Sequence, residues 1–170
     1  MLDRGATREH VTEIAKRFEK SDEILAKLRF YDDVPVKLFG QSKAAKLGGY
    51  ADSDLAQRAL EFRKKSGIGR NGNVAVFEYE LNGQRYIKEV HTVGQGGRHS
   101  EFLAKNIIPE GATLKRLFTE RQPCQLYRPN CDRMLARDFP DAEITFIAEY
   151  TGRNAVSIKA WDDLMRSIGL

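Results

Sequence analysis

His99 and Glu101, two apart in "GRHSEFLAKN" (97–106), and the two cysteines of "PCQLYRPNC" (123–131) are the residues of this chain best suited to do chemistry together. Zinc favours imidazole nitrogen and thiolate sulfur, and a catalytic site uses three protein ligands with the fourth position left to water. His99, Cys124 and Cys131 form one such set. Glu101 lies in what reads as a first helical turn, whose side chains point back towards the N-terminus. From there a carboxylate reaches a metal-bound water without being a ligand, so it can take up a proton and pass it on.

Two rival readings use the same residues. His91, at the end of an expected strand, could act as a fourth ligand and close the site as a structural zinc centre. A Cys124–Cys131 disulfide is the other, because two cysteines are too few for a disulfide scaffold but enough for one bridge.

The elements must bring these side chains together. Thr7 caps a helix over residues 7 to 30, with Val11, Ile14, Ala15, Phe18, Ile24, Leu25 and Leu28 at helical spacing. Pro35 stops it, and residues 32 to 50 read as loop. Asp52 or Ser53 caps a second helix to about Lys65. The period then changes: 74–81 and 84–93 read as strands around an Asn82-Gly83 hairpin turn. A helix from about His99 to Ile107, a strand over 112–120, a helix over 131–139 capped by Asn130 and a strand over 143–150 follow. "TGRN" reads as a turn into a short fifth strand, "AVSIK" (155–159). That would make the fourth and fifth strands antiparallel, since a parallel pair needs a long crossover. A final helix begins near Trp161. The expected architecture is α/β: a domain over 71–170 with a mixed five-stranded sheet, and a helical N-terminal extension over 1–70 packed on its core.

With the motifs on those elements, the chain resembles the zinc-dependent nucleobase deaminases, in which His-x-Glu is followed by Pro-Cys-x-x-Cys. "HSE" (99–101) supplies the first element, and Pro123 with Cys124 begins the second; the spacer to Cys131 is six residues where that pattern has two. The strand–helix order is similar to the cytidine deaminase-like three-layer fold, and the likeness runs over roughly 74–170. "FTERQPC", the glycine-rich lead into "HSE" and the expected hairpin of the last two strands are most similar to bacterial polymorphic-toxin deaminases that act on single-stranded DNA.

This resemblance implies a Zn2+ held by His99, Cys124 and Cys131, with Glu101 as the catalytic proton shuttle. It implies hydrolytic deamination of cytosine to uracil in single-stranded DNA, with the Ser100 backbone on the base. Tyr127 and Arg128, inside the cysteine spacer, suit stacking on a base beside a backbone contact; Arg98 is placed to meet a phosphate. The expected partners are single-stranded DNA and a cognate immunity protein, with no membrane and a monomeric state. The expected setting is a secreted or delivered toxin domain acting in the target-cell cytoplasm. The alternatives are an RNA or free-nucleoside deaminase, and a non-enzymatic zinc-stabilised binding module.

The remaining features bound the reading. No apolar run approaches the roughly 18 residues needed to span a bilayer, and the first twenty residues lack the apolar centre of a signal peptide. Residues 1–70 carry 15 Lys+Arg against 11 Asp+Glu, and 71–170 carry 13 of each, so the net +4 lies in the N-terminal part. "RKK" (63–65) reads as a solvated helix end, and secondarily as a phosphate contact. "GQGG" (94–97) has no following Lys-Ser or Lys-Thr and is no phosphate loop; it reads as an edge of the site. Trp161 reads as core.

Overall fold

The computed structural model describes residues 44–93, 99–125 and 130–170. The helix expected over 7–30, the "GQGG" segment, Arg98, Tyr127 and Arg128 lie outside the described residues. Strand β1 is Ala45–Lys46. A 3-10 turn at Tyr50–Asp52 leads into helix α1, Asp54–Lys65, which starts where the Ser53 hydroxyl accepts the Ala56 N–H at 3.1 Å. Strands β2 (Asn73–Leu81) and β3 (Gln84–Thr92) form the expected hairpin. Asn82 and Gly83 both take positive φ, 53° and 76°, as a two-residue type I′ turn requires.

A 3-10 turn over Glu101–Leu103 precedes the short helix α2, Ala104–Ile107. The helix expected from His99 therefore starts two residues later, and its first turn is closed by Phe102 and Leu103 N–H groups donating three residues back. Strand β4 is Thr113–Arg121, helix α3 is Cys131–Asp138 with the Asn130 side chain capping Arg133 N, and β5 is Glu143–Ala148. Helix α4 spans Ala155–Ser167. Among the described residues no helix is long and apolar enough to cross a membrane.

The sheet is mixed and five-stranded, in the order β1-β5-β4-β2-β3. Strand β2 runs antiparallel to β3 and β4, whereas β5 is parallel to both β4 and β1. This corrects the last strand pair: "AVSIK" is the first part of α4, not an antiparallel fifth strand. Asn154 accepts the Ser157 N–H at 3.0 Å and so caps a helix where the local pattern suggested a turn. The alternating Val156 and Ile158 are exposed, and Ser157, Trp161, Leu164 and Met165 form the buried stripe. The fifth strand is β1 instead, too short to carry a pattern of its own.

Alternation along the strands makes three layers. Val74, Val76 and Phe118 face α1 and α4 with Leu55, Ala59, Leu164 and Met165. Ala75, Phe77 and Leu117 face the other way, against Ala104 of α2 and Met134 and Leu135 of α3. Each fully buried side chain of this kind contributes about 1.5–3 kcal/mol. Through the first layer runs a buried ion pair. Arg63 donates Nε to Glu120 Oε1 at 2.7 Å and a second nitrogen to Oε2, and both side chains are fully buried. Glu120 also accepts from the Tyr50 hydroxyl at 2.6 Å and from Val74 N at 2.7 Å. Arg63 is thus no part of a solvated basic helix end; only Lys64 and Lys65 of that triplet are exposed.

Candidate active site

The parallel β4–β5 pair, bridged by α3, brings the chemistry to the carboxyl end of β4. The chain leaves β4 at Arg121 and passes Pro123 to Cys124. There Asp132 N donates to the Cys124 carbonyl at 3.1 Å and Cys131 N to the Cys124 sulfur at 3.4 Å. The first residue of α3 therefore sits against Cys124 despite the six-residue spacer. His99 comes from the segment before α2, with Nδ1 3.5 Å from the Cys131 sulfur. The ligand atoms of His99, Cys124 and Cys131 all lie within 4.8 Å of one another.

This trio fits a metal ion. A tetrahedral zinc with bonds of about 2.0–2.3 Å holds its ligand atoms about 3.3–3.8 Å apart, and one imidazole with two thiols is a donor set suited to it. Without the metal the two sulfurs differ in how readily they lose a proton. Cys124, receiving hydrogen bonds from Cys131 and His99, is lowered to about 5. Cys131, donating to that sulfur and buried, is pushed well up. His99 is raised by its hydrogen bond to Cys124. The two cysteines are not joined to each other, which sets the disulfide reading aside. His91 does not join them: its Nε2 lies 3.1 Å from the Asn71 carbonyl, and its ring packs against Gly72, where a Cβ would collide with it.

Glu101 is 3% exposed and lines the same cavity, of about 980 Å³, as His99 and Cys124. Burial, and then the Cys124 charge, raise its carboxyl above the usual 4.5. A hydrogen bond from its own backbone N–H, the His99 charge and the Thr119 hydroxyl, which donates to Oε1 at 2.9 Å, oppose this; the Ser100 hydroxyl donates to Oε2 at 3.4 Å. Ser100 is fully buried. Asn73, opening β2, donates its amide to both hydroxyl oxygens and accepts Arg121 N at 2.9 Å. A buried carboxylate held by hydroxyl donors beside an N/S/S donor set can move protons next to a metal-activated water.

A family model described as Xanthomonas-like deaminase matches residues 70–167. The chain belongs to the Xanthomonas-like deaminase family. The match on this deaminase domain spans β2 to α4 and includes His99, Glu101, Cys124 and Cys131. No curated protein and no solved structure matches the chain.

Of the residues singled out in the sequence, the fold brings together His99, Ser100, Glu101, Cys124 and Cys131, and the first four of them line the cavity. Asn73, Thr119, Arg121 and Trp161 also stand in or against it, and sequence reasoning missed them as site residues. Thr119 and Asn73 carried no local mark. Arg121 stood two residues before Pro123 in "FTERQPC", and Trp161 read as core, which its 8% exposure supports.

Proposed function

We propose that this chain is a zinc-dependent hydrolytic deaminase that converts cytosine to uracil in single-stranded DNA, as the toxin domain of an interbacterial effector. The observation that carries the reading is Glu101, buried on the wall of a cavity that His99 and Cys124 also line. Among the described residues the metal-binding group has three members. That number suits a catalytic site with an open position rather than a closed structural one.

His99, Cys124 and Cys131 would hold the zinc, which when bound would supply Lewis acidity and bring the pKa of a coordinated water towards neutrality. The protein's own part is proton transfer. Glu101 accepts a proton from the attacking water, hands it to the ring nitrogen beside C4, and delivers the second proton to the departing amine. Cytosine and water give uracil and ammonia. Thr119 and Ser100 hold the carboxylate for these transfers, and the Ser100 backbone is the contact proposed for the base. Arg98, Tyr127 and Arg128 remain proposed contacts for the strand. Single strands are the easier substrate because a duplex must first release the base from its stack.

The deciding experiment incubates the zinc-loaded protein with single-stranded DNA, RNA and free nucleosides, scored for uracil and inosine. Uracil in single-stranded DNA is the expected product. Inosine, or uracil in RNA or nucleosides alone, would replace the substrate; no product on any of them would end the enzyme reading. Toxicity on expression in bacteria, and its neutralisation by a co-encoded protein, test the toxin role and the immunity partner.

A further inference from the structure

One wall of the cavity carries a cation that the proton chemistry of Glu101 leaves unused. Arg121, the last residue of β4, stacks its guanidinium on the Trp161 ring, with its central carbon 3.9 Å from the ring centroid. Trp161 is fixed in turn by its indole N–H, which donates to the Arg70 carbonyl at 3.0 Å. The backbone of Arg121 is held by Asn73. Both ends of the side chain are therefore anchored.

One of its donors nevertheless lacks an acceptor. Arg121 Nε is buried with no partner, alone in this among the side-chain nitrogens and oxygens of the described residues. Native proteins rarely leave such a donor without an acceptor, and an exception points to a missing partner. The neighbouring carboxylates do not supply one. Glu120 is occupied by Arg63 and Tyr50, Asp162 pairs with Arg70, and Glu101 takes the Thr119 hydroxyl. Arg153, on the same cavity, is exposed and makes no ion pair among the described residues.

A guanidinium stacked on an aromatic face keeps its in-plane N–H fork free, and that fork matches the oxygens of a phosphate. A charged acceptor also offsets the desolvation of a buried cation better than a neutral carbonyl does. We infer that Arg121 is a phosphate-binding residue: its Nε–H and an adjacent N–H take the oxygens of a phosphate on the substrate's sugar, Trp161 is the platform, and Arg153 is an outer contact. This assignment rests on reading the cavity as the substrate site. It makes the substrate a nucleotide unit, free or within a strand, in preference to a nucleoside.

Trp161 is the chain's one tryptophan, so its emission reports directly on occupancy beside Arg121. The probes are thymidine, thymidine 5′-monophosphate and a short thymidine oligonucleotide, which lack the amine that a cytosine deaminase removes and so never turn over. Wild type, Arg121→Gln and Arg121→Lys are titrated with each, with thermal unfolding run in parallel. Anisotropy of an end-labelled oligonucleotide gives an affinity independent of the altered Trp161 surroundings.

The expected result is a saturable response to the monophosphate and the oligonucleotide but not to thymidine. Arg121→Gln should weaken both by at least about tenfold and reduce the magnitude of the oligonucleotide salt slope by about 0.7, one single-strand phosphate contact. Arg121→Lys, which keeps the charge but loses the fork, should fall between. Wild-type affinity and slope in folded Arg121→Gln would overturn the assignment. So would equal responses to thymidine and its monophosphate, which would make Arg121 a base contact, or no response to either phosphate-bearing probe. Failure of the deaminase reading looks different: Arg121-dependent binding would persist while no uracil forms on any substrate.

Discussion

The Thr119 hydroxyl is oriented at Glu101 by a third residue. Asn73 Nδ2 donates to Thr119 Oγ1 at 2.7 Å, so the one hydroxyl hydrogen is free to go to Glu101 Oε1 at 2.9 Å. The direction of the amide is itself set, because Asn73 Oδ1 accepts the Arg121 backbone N–H. This donor opposes the burial that raises the Glu101 pKa. Thr119→Val keeps the shape and removes the donor, so the pKa should rise further. The carboxylate is the form that accepts a proton, and a higher pKa leaves less of it at a given pH. The acid limb of kcat/KM should therefore move to higher pH. The direction of that displacement is the test, and it reflects the loss of one hydrogen bond to a charged group.

Glu101 is placed to move protons and not to hold metal. Glu101→Gln should keep the zinc content and the thermal unfolding of wild type while losing about 10²–10⁴-fold in turnover. Zinc, melting temperature and uracil formation are measured on both proteins together. Near wild-type turnover would remove Glu101 from the mechanism.

Metal analysis should find about one zinc per chain, as a single three-ligand site requires. Cys124→Ala and Cys131→Ala should each lose most of it. His91→Ala should retain it, because His91 faces Asn71 and Gly72 rather than the cysteines.

Removing Arg63 leaves Glu120 as a buried charge without its cation. Arg63→Ala should destabilise the fold by about 3–5 kcal/mol in urea unfolding, while Lys64→Ala and Lys65→Ala stay within about 0.5 kcal/mol. Equal small effects at all three positions would mean that the ion pair does not form.

Tyr50 links stability to alkaline pH. Burial, and then the charge of Glu120, raise its phenol far above the ordinary 10.0. The unfolded chain can ionise Tyr50 from about pH 10, where the folded chain cannot, so this contribution is intact below pH 10 and is lost as pH rises above it. Stability of the wild type should fall more steeply than that of Tyr50→Phe between pH 10 and 11.5, measured by denaturant unfolding at each pH.

The features legible in the sequence were those decided within a few residues. Ser53 and Asn130 cap helices because a short polar side chain meets a backbone N–H three residues on. Asn82-Gly83 turns the hairpin because both residues tolerate positive φ. His99, Glu101, Cys124 and Cys131 were recognisable because their side chains have few other uses in that combination. Tertiary structure decided whatever depended on partners distant in the chain. The local alternation of "AVSIK" suggested a strand, but Trp161, Leu164 and Met165 bury their side against Val74, Val76 and Phe118, and only a helix puts them on one face. Arg63 looked like one of three solvated cations until Glu120, 57 residues away, took it into the core. Asn73, Thr119 and Arg121 reach the site through the β2–β4 pairing, whose register places Ala75 opposite Thr119. Strand pairing depends on which distant segments bury each other's apolar faces, and no short window of sequence contains both partners.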